Sequence, residues 1–306
     1  MKLLAASIFP PFDFQRVIVD PWSTDATMSL WIVLLGFFIG TAAGLLGNFL
    51  LLRRMALVGD AISHSVLPGV VLAYVVLGSI HSAAMLAGAA VFGVLAVLLI
   101  EFLQRRARVK TDAATGVAFT TLFALGLVLI RRFADRAHID ADCALFGRME
   151  IVLLETLRTP FGDLPETVCI MGLVAAVAAL LIGAFYKELL LTSFDPALAT
   201  TLGFRSGLIH YLLMSLASVV IVAALQAVGA VLVVGMMVLP PALARLCADR
   251  LPALLVLTVG FSLVGALAGL HLGVWWGAPL AASMIVALGV LFVAIWSAVW
   301  LRRKFS

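Results

Sequence analysis

Long, continuously apolar stretches alternate along this chain with short polar connections. A helix of about twenty apolar residues crosses the roughly 30 Å hydrocarbon core of a bilayer. Nine stretches have a suitable length, with predicted bounds of 28–51, 57–77, 82–103, 113–130, 166–186, 208–227, 229–247, 252–270 and 278–300. Their apolar residues run consecutively, unlike the alternating pattern of membrane β-strands. The pattern predicts an all-α, polytopic transmembrane helical bundle of about nine spans. The range is eight to ten, because the 131–165 loop could hold a half-inserted helix.

Composition agrees with a membrane protein. Of 306 residues, 64% are hydrophobic and only 12% are charged, too few polar residues to cover the surface of a soluble protein. The apolar stretch at the N-terminus is short and runs into Pro10 and Pro11 without a cleavage site, so we expect it to be retained. Residues 1–27 are therefore predicted to be a tail, and residues 28–306 one membrane domain. The net charge of +4 is small and scattered, which argues against a nucleic-acid partner.

The basic residues predict an orientation in the membrane. Basic residues outnumber acidic ones on one side of the predicted spans, whereas acidic residues are in excess on the other. Because positive loops stay in the cytoplasm, the N-terminus should be outside and the C-terminus inside. The six tryptophans fall near predicted span ends, as expected of an aromatic belt in contact with membrane lipid.

Two ionisable residues lie inside the second predicted span. Asp60 and His64 are four residues apart, so their side chains should project from one helix face. A carboxylate with an imidazole suits a divalent first-row metal, and an ionisable residue at membrane depth usually has a function. The alternative is structural: Asp60 would cap a helix or bond a neighbour, and His64 would be a core histidine. The pair favours a role in ion passage.

Two side chains do not complete a metal coordination shell. Asn48 and Gln226 are candidates for further ligands, together with water or backbone atoms. Pro68 should leave the His64 carbonyl without its helical partner and kink the span. Pro240 and Pro241 should bend the seventh span in the same way, and each of these prolines is a candidate for a gate or a static kink.

The polar segment 187–206 lies on the basic side and is too interrupted to span. Asp195 suits a helix N-cap, Pro196 the first turn and Gly203 the C-terminal stop. This pattern predicts a short, capped cytoplasmic helix. It could be a docking element for a cytoplasmic partner or an ordinary connector.

Four segments resemble one known family. RRMALVGDAISHSVLPGVVLAY (53–74), KELLLTSFDPALATTLGF (187–204), DCALFGRMEIV (142–152) and VGAVLVVGMMVLPPALARL (228–246) are similar in order and spacing to permease subunits of bacterial ABC importers for zinc, manganese and iron. The resemblance extends from about residue 28 to residue 300. It implies a subunit of the bacterial inner membrane that is not itself an enzyme and binds no permanent cofactor.

The resemblance also implies partners and site residues. The family works as a permease dimer, of identical or paired copies, with a cytoplasmic ABC ATPase that alone binds ATP and an extracytoplasmic metal-binding protein. Asp60 and His64 match the transient metal ligands. The polar segment 187–206 matches the family's coupling segment, which would contact the ATPase through Phe194, Asp195, Pro196, Ala199, Leu202 and Gly203. This chain contains no GxxxxGK[ST] phosphate loop, in agreement with a separate ATPase.

Other functions remain as alternatives at this stage. An ion-coupled secondary transporter could use Asp60 as a proton site, and an ABC permease could carry a metal chelate. An intramembrane hydrolase lacks a nucleophile motif or an HExxH sequence here. The sequence does not distinguish manganese, zinc and iron as the transported ion.

Overall fold

The computed structural model describes residues 10–77, 82–107, 109–133, 149, 153, 156–159 and 162–305. Within these residues the chain is almost entirely helical. After a π-helical turn at Gln15–Val19, the helices are α1 (Asp20–Ser23), α2 (Ala26–Leu52), α3 (Val58–Ser65), α4 (Leu67–Leu77), α5 (Ser82–Arg106), α6 (Thr111–Phe133), α7 (Glu166–Ala184), α8 (Tyr186–Phe194), α9 (Pro196–Thr201), α10 (Ser206–Val228), α11 (Ala230–Cys247), α12 (Leu251–Trp276) and α13 (Leu280–Phe305).

Eight stretches of the described chain are long and apolar enough to cross a membrane. They correspond to eight of the nine predicted spans, which confirms the polytopic helical bundle. The predicted seventh span is also a helix, α11, but its apolar part is shorter, from Leu232 to Cys247. It packs between α2, α12 and α13, so it is part of the bundle.

The second span consists of two helices. Helix α3 ends at Ser65 and α4 begins at Leu67, and the interruption at Val66 stands two residues before Pro68. The amide of Gly69 donates to the Val66 carbonyl at 2.9 Å, which closes a tight turn between the two helices. A proline here removes one helical hydrogen bond, in keeping with the interruption.

The fold departs from the sequence-based picture at two places outside the spans. Residues from Phe14 to Ser23, within the predicted tail, form helical turns that pack against α12 and the start of α2. The N-terminal segment, residues 10–23, is held by His271 and Trp275. His271 Nδ1 lies 2.8 Å from the Val17 carbonyl, and Trp275 Nε1 donates to the Pro10 carbonyl at 3.0 Å. A short antiparallel hairpin, β1 (Thr156–Thr159) with β2 (Gly162–Pro165), precedes α7 and was not expected in an all-α chain.

Glycine allows the helices to approach closely. Gly36, Gly40 and Gly44 recur on one face of α2. A Cβ at Gly40 would lie 2.7 Å from that of Ser262 of α12. Gly44 also faces α12, whereas Gly36 lies nearest to Met284 of α13 and then to Ala266 of α12. The glycine pattern thus serves packing inside the chain. Gly69 of α4 and Gly88 of α5 cross so closely that a Cβ on either would overlap the carbonyl oxygen of the other.

Candidate functional site

Helix α3 brings Asp60 and His64 together. The two residues are four apart, and His64 Nε2 lies 3.5 Å from Asp60 Oδ1. The side chain of Asp60 is 52% exposed and that of His64 is 23% exposed. The pair therefore opens onto the surface of the single chain and is not enclosed in its core. Among the described residues no group of three or more His, Cys, Asp or Glu side chains surrounds a common point, so the pair is an open site.

Two phenylalanine side chains, those of Phe119 and Phe123, pack against the imidazole of His64 and orient it. The ring centroids of Phe119 and Phe123, both on α6, lie 5.3 and 5.5 Å from that of His64. Phe123 meets the imidazole edge to face, with an interplanar angle of 80°, a favourable geometry for aromatic pairs. These contacts restrict the rotation of the ring while leaving Nε2 directed at Asp60. Neither phenylalanine was predicted from the sequence to be part of the site.

The opposite face of α3 is packed tightly against α11. Met237 is buried and lies against Gly59 so closely that a Cβ at Gly59 would overlap its terminal methyl group. A Cβ at Gly47 of α2 would overlap the main-chain oxygen of the same methionine. The residue before Asp60 is thus fixed to α11, which positions the acidic side chain.

Asn48 and Gln226 were the candidates for further metal ligands, and the structure describes the side chain of only the first. Asn48 Nδ2 donates to the Gly44 carbonyl at 3.0 Å and to Thr258 Oγ1 at 2.9 Å, and the residue is buried. Asn48 therefore joins α2 to α12. The side chain of Gln226 lies outside the part of the molecule that the structure describes.

The prolines occupy two kinds of position. Pro68 follows the interruption between α3 and α4, close to His64. Pro240 and Pro241 lie inside α11, which is helical without interruption from Ala230 to Cys247. A gating role stays a prediction for all three prolines.

The coupling segment, residues 187–206, has the predicted caps. Asp195 Oδ1 accepts a hydrogen bond from the Leu198 amide at 2.9 Å, Pro196 begins α9, and Gly203 has a φ of +87° just after the helix. The left-handed conformation suits glycine because it has no Cβ. The capped helix is confirmed, and most of α8 precedes it within the segment.

One face of the coupling segment is apolar and exposed. Phe194, Leu198 and Leu202 are 61%, 46% and 60% exposed. Ala199 is fully buried, so its side chain does not belong to this face, whereas Leu198, which we did not predict, does. The face offers large apolar side chains at the end of the segment, as interaction surfaces often do.

A polar network joins this segment to the bundle. Arg53, the residue that follows α2, donates to Thr192 Oγ1 at 2.9 Å and to Ser193 Oγ at 3.1 Å, both on α8. The same guanidinium lies 3.1 Å from His210 Nδ1. Burial lowers the pKa of Arg53 from its ordinary value. None of these contacts of Arg53 was predicted from the sequence.

The chain is similar to known proteins that are named for metal transport. The chain is 39% identical over 266 residues to the manganese transport system membrane protein MntD of Bacillus subtilis, covering 86% of this chain and 90% of that protein. It is 39% identical over 269 residues to the zinc transport system membrane protein TroD of Treponema pallidum, covering 88% and 73%.

A solved structure has the same fold. The chain superposes on PsaBC from Streptococcus pneumoniae, determined in complex with a Fab, with a TM-score of 0.73 and 32% identity over 91% of this chain and 94% of that one. Residues 25–298 match the family model described as the ABC 3 transport family. With this match over most of its length and these relatives, the chain belongs to the ABC 3 transport family.

Proposed function

We propose that this chain is the membrane-spanning permease subunit of an ABC importer that moves a divalent transition-metal ion into the cytoplasm. The observation that carries the proposal is the Asp60–His64 pair, which lies in a helix of a membrane span and opens onto the surface of the chain. Relatives named for manganese and zinc transport support the class of substrate. Manganese, zinc and iron all accept mixed oxygen and nitrogen ligands.

The geometry suits transient binding. One carboxylate oxygen and one imidazole nitrogen leave most of a coordination shell to water or to another subunit. A second permease, identical or related, would cover the exposed carboxylate and complete the site. Weak binding favours passage, since an ion held too tightly would not leave. Movements at Pro68, Pro240 and Pro241 would open and close the route.

A separate ATPase would supply the energy. The exposed face of Phe194, Leu198 and Leu202 is a suitable docking surface for it, with Asp195, Pro196 and Gly203 holding the helix in shape. ATP would be bound by that partner alone, so this subunit would not be an enzyme. An extracytoplasmic metal-binding protein would deliver the ion. We place the protein in the bacterial cytoplasmic membrane with its N-terminus outside and its C-terminus inside.

Uptake by reconstituted vesicles tests the proposal. The permease, with its ATPase and binding protein, would be compared as wild type, Asp60→Ala and His64→Ala for Mn²⁺, Zn²⁺ and Fe²⁺. Asp112→Asn, which neutralises an exposed carboxylate at the start of α6, is the control. We expect both pair variants to assemble and to lose ATP-dependent uptake, while the control retains it. Normal uptake by both variants would refute the pathway role of the pair.

The same vesicles distinguish the alternatives. Uptake that needs no ATPase but follows a proton or ion gradient would identify a secondary transporter. Uptake of a metal chelate, with none of the free ion, would identify a chelate permease. Either result would replace the proposed function.

A further inference from the structure

We propose that Arg53 and His210 are positioning residues that transmit movement of the coupling segment to the transmembrane spans. The inference rests on the proposed function, in which a separate ATPase moves that segment. It concerns a polar chain that runs from α8 through the end of α2 to α10 and α5.

Arg53 stands at the junction of three elements. Its Nε and one terminal nitrogen donate to Ser193 and Thr192 on α8, and its other terminal nitrogen faces His210 near the start of α10. Arg53 is also seven residues before Asp60 on the short connection into α3. A displacement of α8 would therefore pull on the residue that leads into the helix of the candidate metal site.

The position of the proton on His210 follows from its partners. A guanidinium only donates hydrogen bonds, so Nδ1 of His210 must accept from Arg53. A neutral imidazole then carries its hydrogen on Nε2, which lies 3.1 Å from Glu101 Oε2. The imidazole thus lies between the guanidinium and the carboxylate: it accepts a hydrogen bond from Arg53, and its contact with Glu101 Oε2 is electrostatic, without the geometry of a hydrogen bond.

Glu101 brings the chain of contacts to α5. Its side chain is only 9% exposed, and it lies near the end of a helix that packs against α3, α4 and α10. Helix α3 carries Asp60 and His64. The polar chain thus begins on the coupling segment and ends among the helices that surround the candidate metal site.

The coupling segment is attached here by polar bonds beside an open cavity. A cavity of about 590 Å³ is lined by Arg53, Glu101, Pro196 and His210, among others. Because space remains between the segment and the bundle, apolar packing alone does not fix their relative position at this point. Directional hydrogen bonds to one guanidinium transmit a displacement that loose packing would absorb.

The substitution His210→Gln preserves the geometry without a histidine. A glutamine oxygen can accept from Arg53 while its amide nitrogen keeps a polar hydrogen beside Glu101, whereas leucine in His210→Leu can do neither. Arg53→Gln removes the guanidinium that contacts Thr192, Ser193 and His210. The matched control is Arg54→Gln, which removes the same charge from an exposed neighbour.

The test measures ATP hydrolysis and metal uptake in the same vesicles, with the complete importer. We expect Arg53→Gln and His210→Leu to assemble and hydrolyse ATP, but to import about tenfold less metal per ATP, as the loss of charge-assisted hydrogen bonds implies. His210→Gln and Arg54→Gln should keep the wild-type ratio. A purely structural role would lower hydrolysis and uptake together and leave the ratio unchanged.

Three outcomes would overturn the inference. These are a wild-type ratio in Arg53→Gln, a wild-type ratio in His210→Leu, and an equal loss in His210→Gln and His210→Leu. If Arg53→Gln fails to assemble, the two His210 variants still decide the question. Each of these results leaves the proposed function intact, because that function is tested by whether the wild-type complex couples ATP hydrolysis to uptake of the free ion.

Discussion

His64 and Asp60 face each other across 3.5 Å, and the carboxylate is the more exposed partner by a wide margin. The imidazole is held from the side by two phenylalanines, whereas the acid projects away from the chain. A charged group in contact with lipid is costly. We therefore expect this face to meet water or protein in the working molecule.

The packing of Phe119 and Phe123 against His64 should affect metal binding more than the maximum rate of uptake. Removing Phe119 in Phe119→Ala would free the His64 ring to rotate, so fewer sites would be ready for the ion. We expect the KM for uptake to rise about fivefold, the scale of one aromatic contact. Val117→Ala, which shortens an exposed side chain on the same helix, should leave the KM unchanged. Equal kinetics for both variants would contradict the orienting role.

The cap at Asp195 should stabilise the coupling helix. Asp195→Ala removes the acceptor for the Leu198 amide, at a cost of about 1 kcal/mol to the helix. The amides of residues 198–201 should then exchange with deuterium several-fold faster. Asp195→Asn keeps an acceptor oxygen and should exchange like the wild type. Unchanged exchange in Asp195→Ala would show that tertiary packing, not the cap, holds α9.

The approach of α2 to Met237 should tolerate no added methyl group. Gly47→Ala places a Cβ against a main-chain oxygen, which cannot move without displacing α11. We expect a destabilisation of about 1–3 kcal/mol, measured as a lower midpoint of thermal unfolding in detergent. Gly260→Ala meets open space in α12 and should keep or slightly raise the midpoint. A similar loss in both variants would indicate a general intolerance of substitution.

His271 should hold the N-terminal segment in place. Replacing it in His271→Ala removes the contact of Nδ1 with the Val17 carbonyl and the indole contact with Trp22 at 3.5 Å. We expect faster proteolysis between residues 10 and 23 with little change in the stability of the bundle. His271→Asn, which can still donate to the carbonyl, should be intermediate. Protection equal to wild type in His271→Ala would assign the anchoring to Trp275.

Features that depend on neighbouring residues could be predicted from the sequence. The span bounds follow from runs of apolar residues, and the cap at Asp195 follows from residues within one helical turn. The exposed face of α9 was harder to predict, because a helix of six residues is too short for the spacing of its apolar residues to show which face is buried. Ala199 was assigned to the contact surface from the family resemblance, and in the structure it is buried.

Features that depend on distant residues could not be predicted in this way. Arg53 and Ser193 are 140 residues apart, and Val17 and His271 are 254 apart. No local pattern indicates such a partner, so the contacts of Arg53 were not predicted, and the N-terminal segment was predicted only as a tail. Phe119 and Phe123 look like ordinary apolar residues of a span until α6 is placed beside His64.

The crossing of Gly69 and Gly88 limits how this sequence can change over time. Each glycine is opposed by the main chain of the other, so shortening a side chain elsewhere in either helix makes no room for a larger residue. A second substitution at the partner position cannot rescue the first, because glycine is already the smallest choice. Neither glycine can therefore be replaced by a larger residue through successive single substitutions, and variation in this part of the protein must occur at other positions.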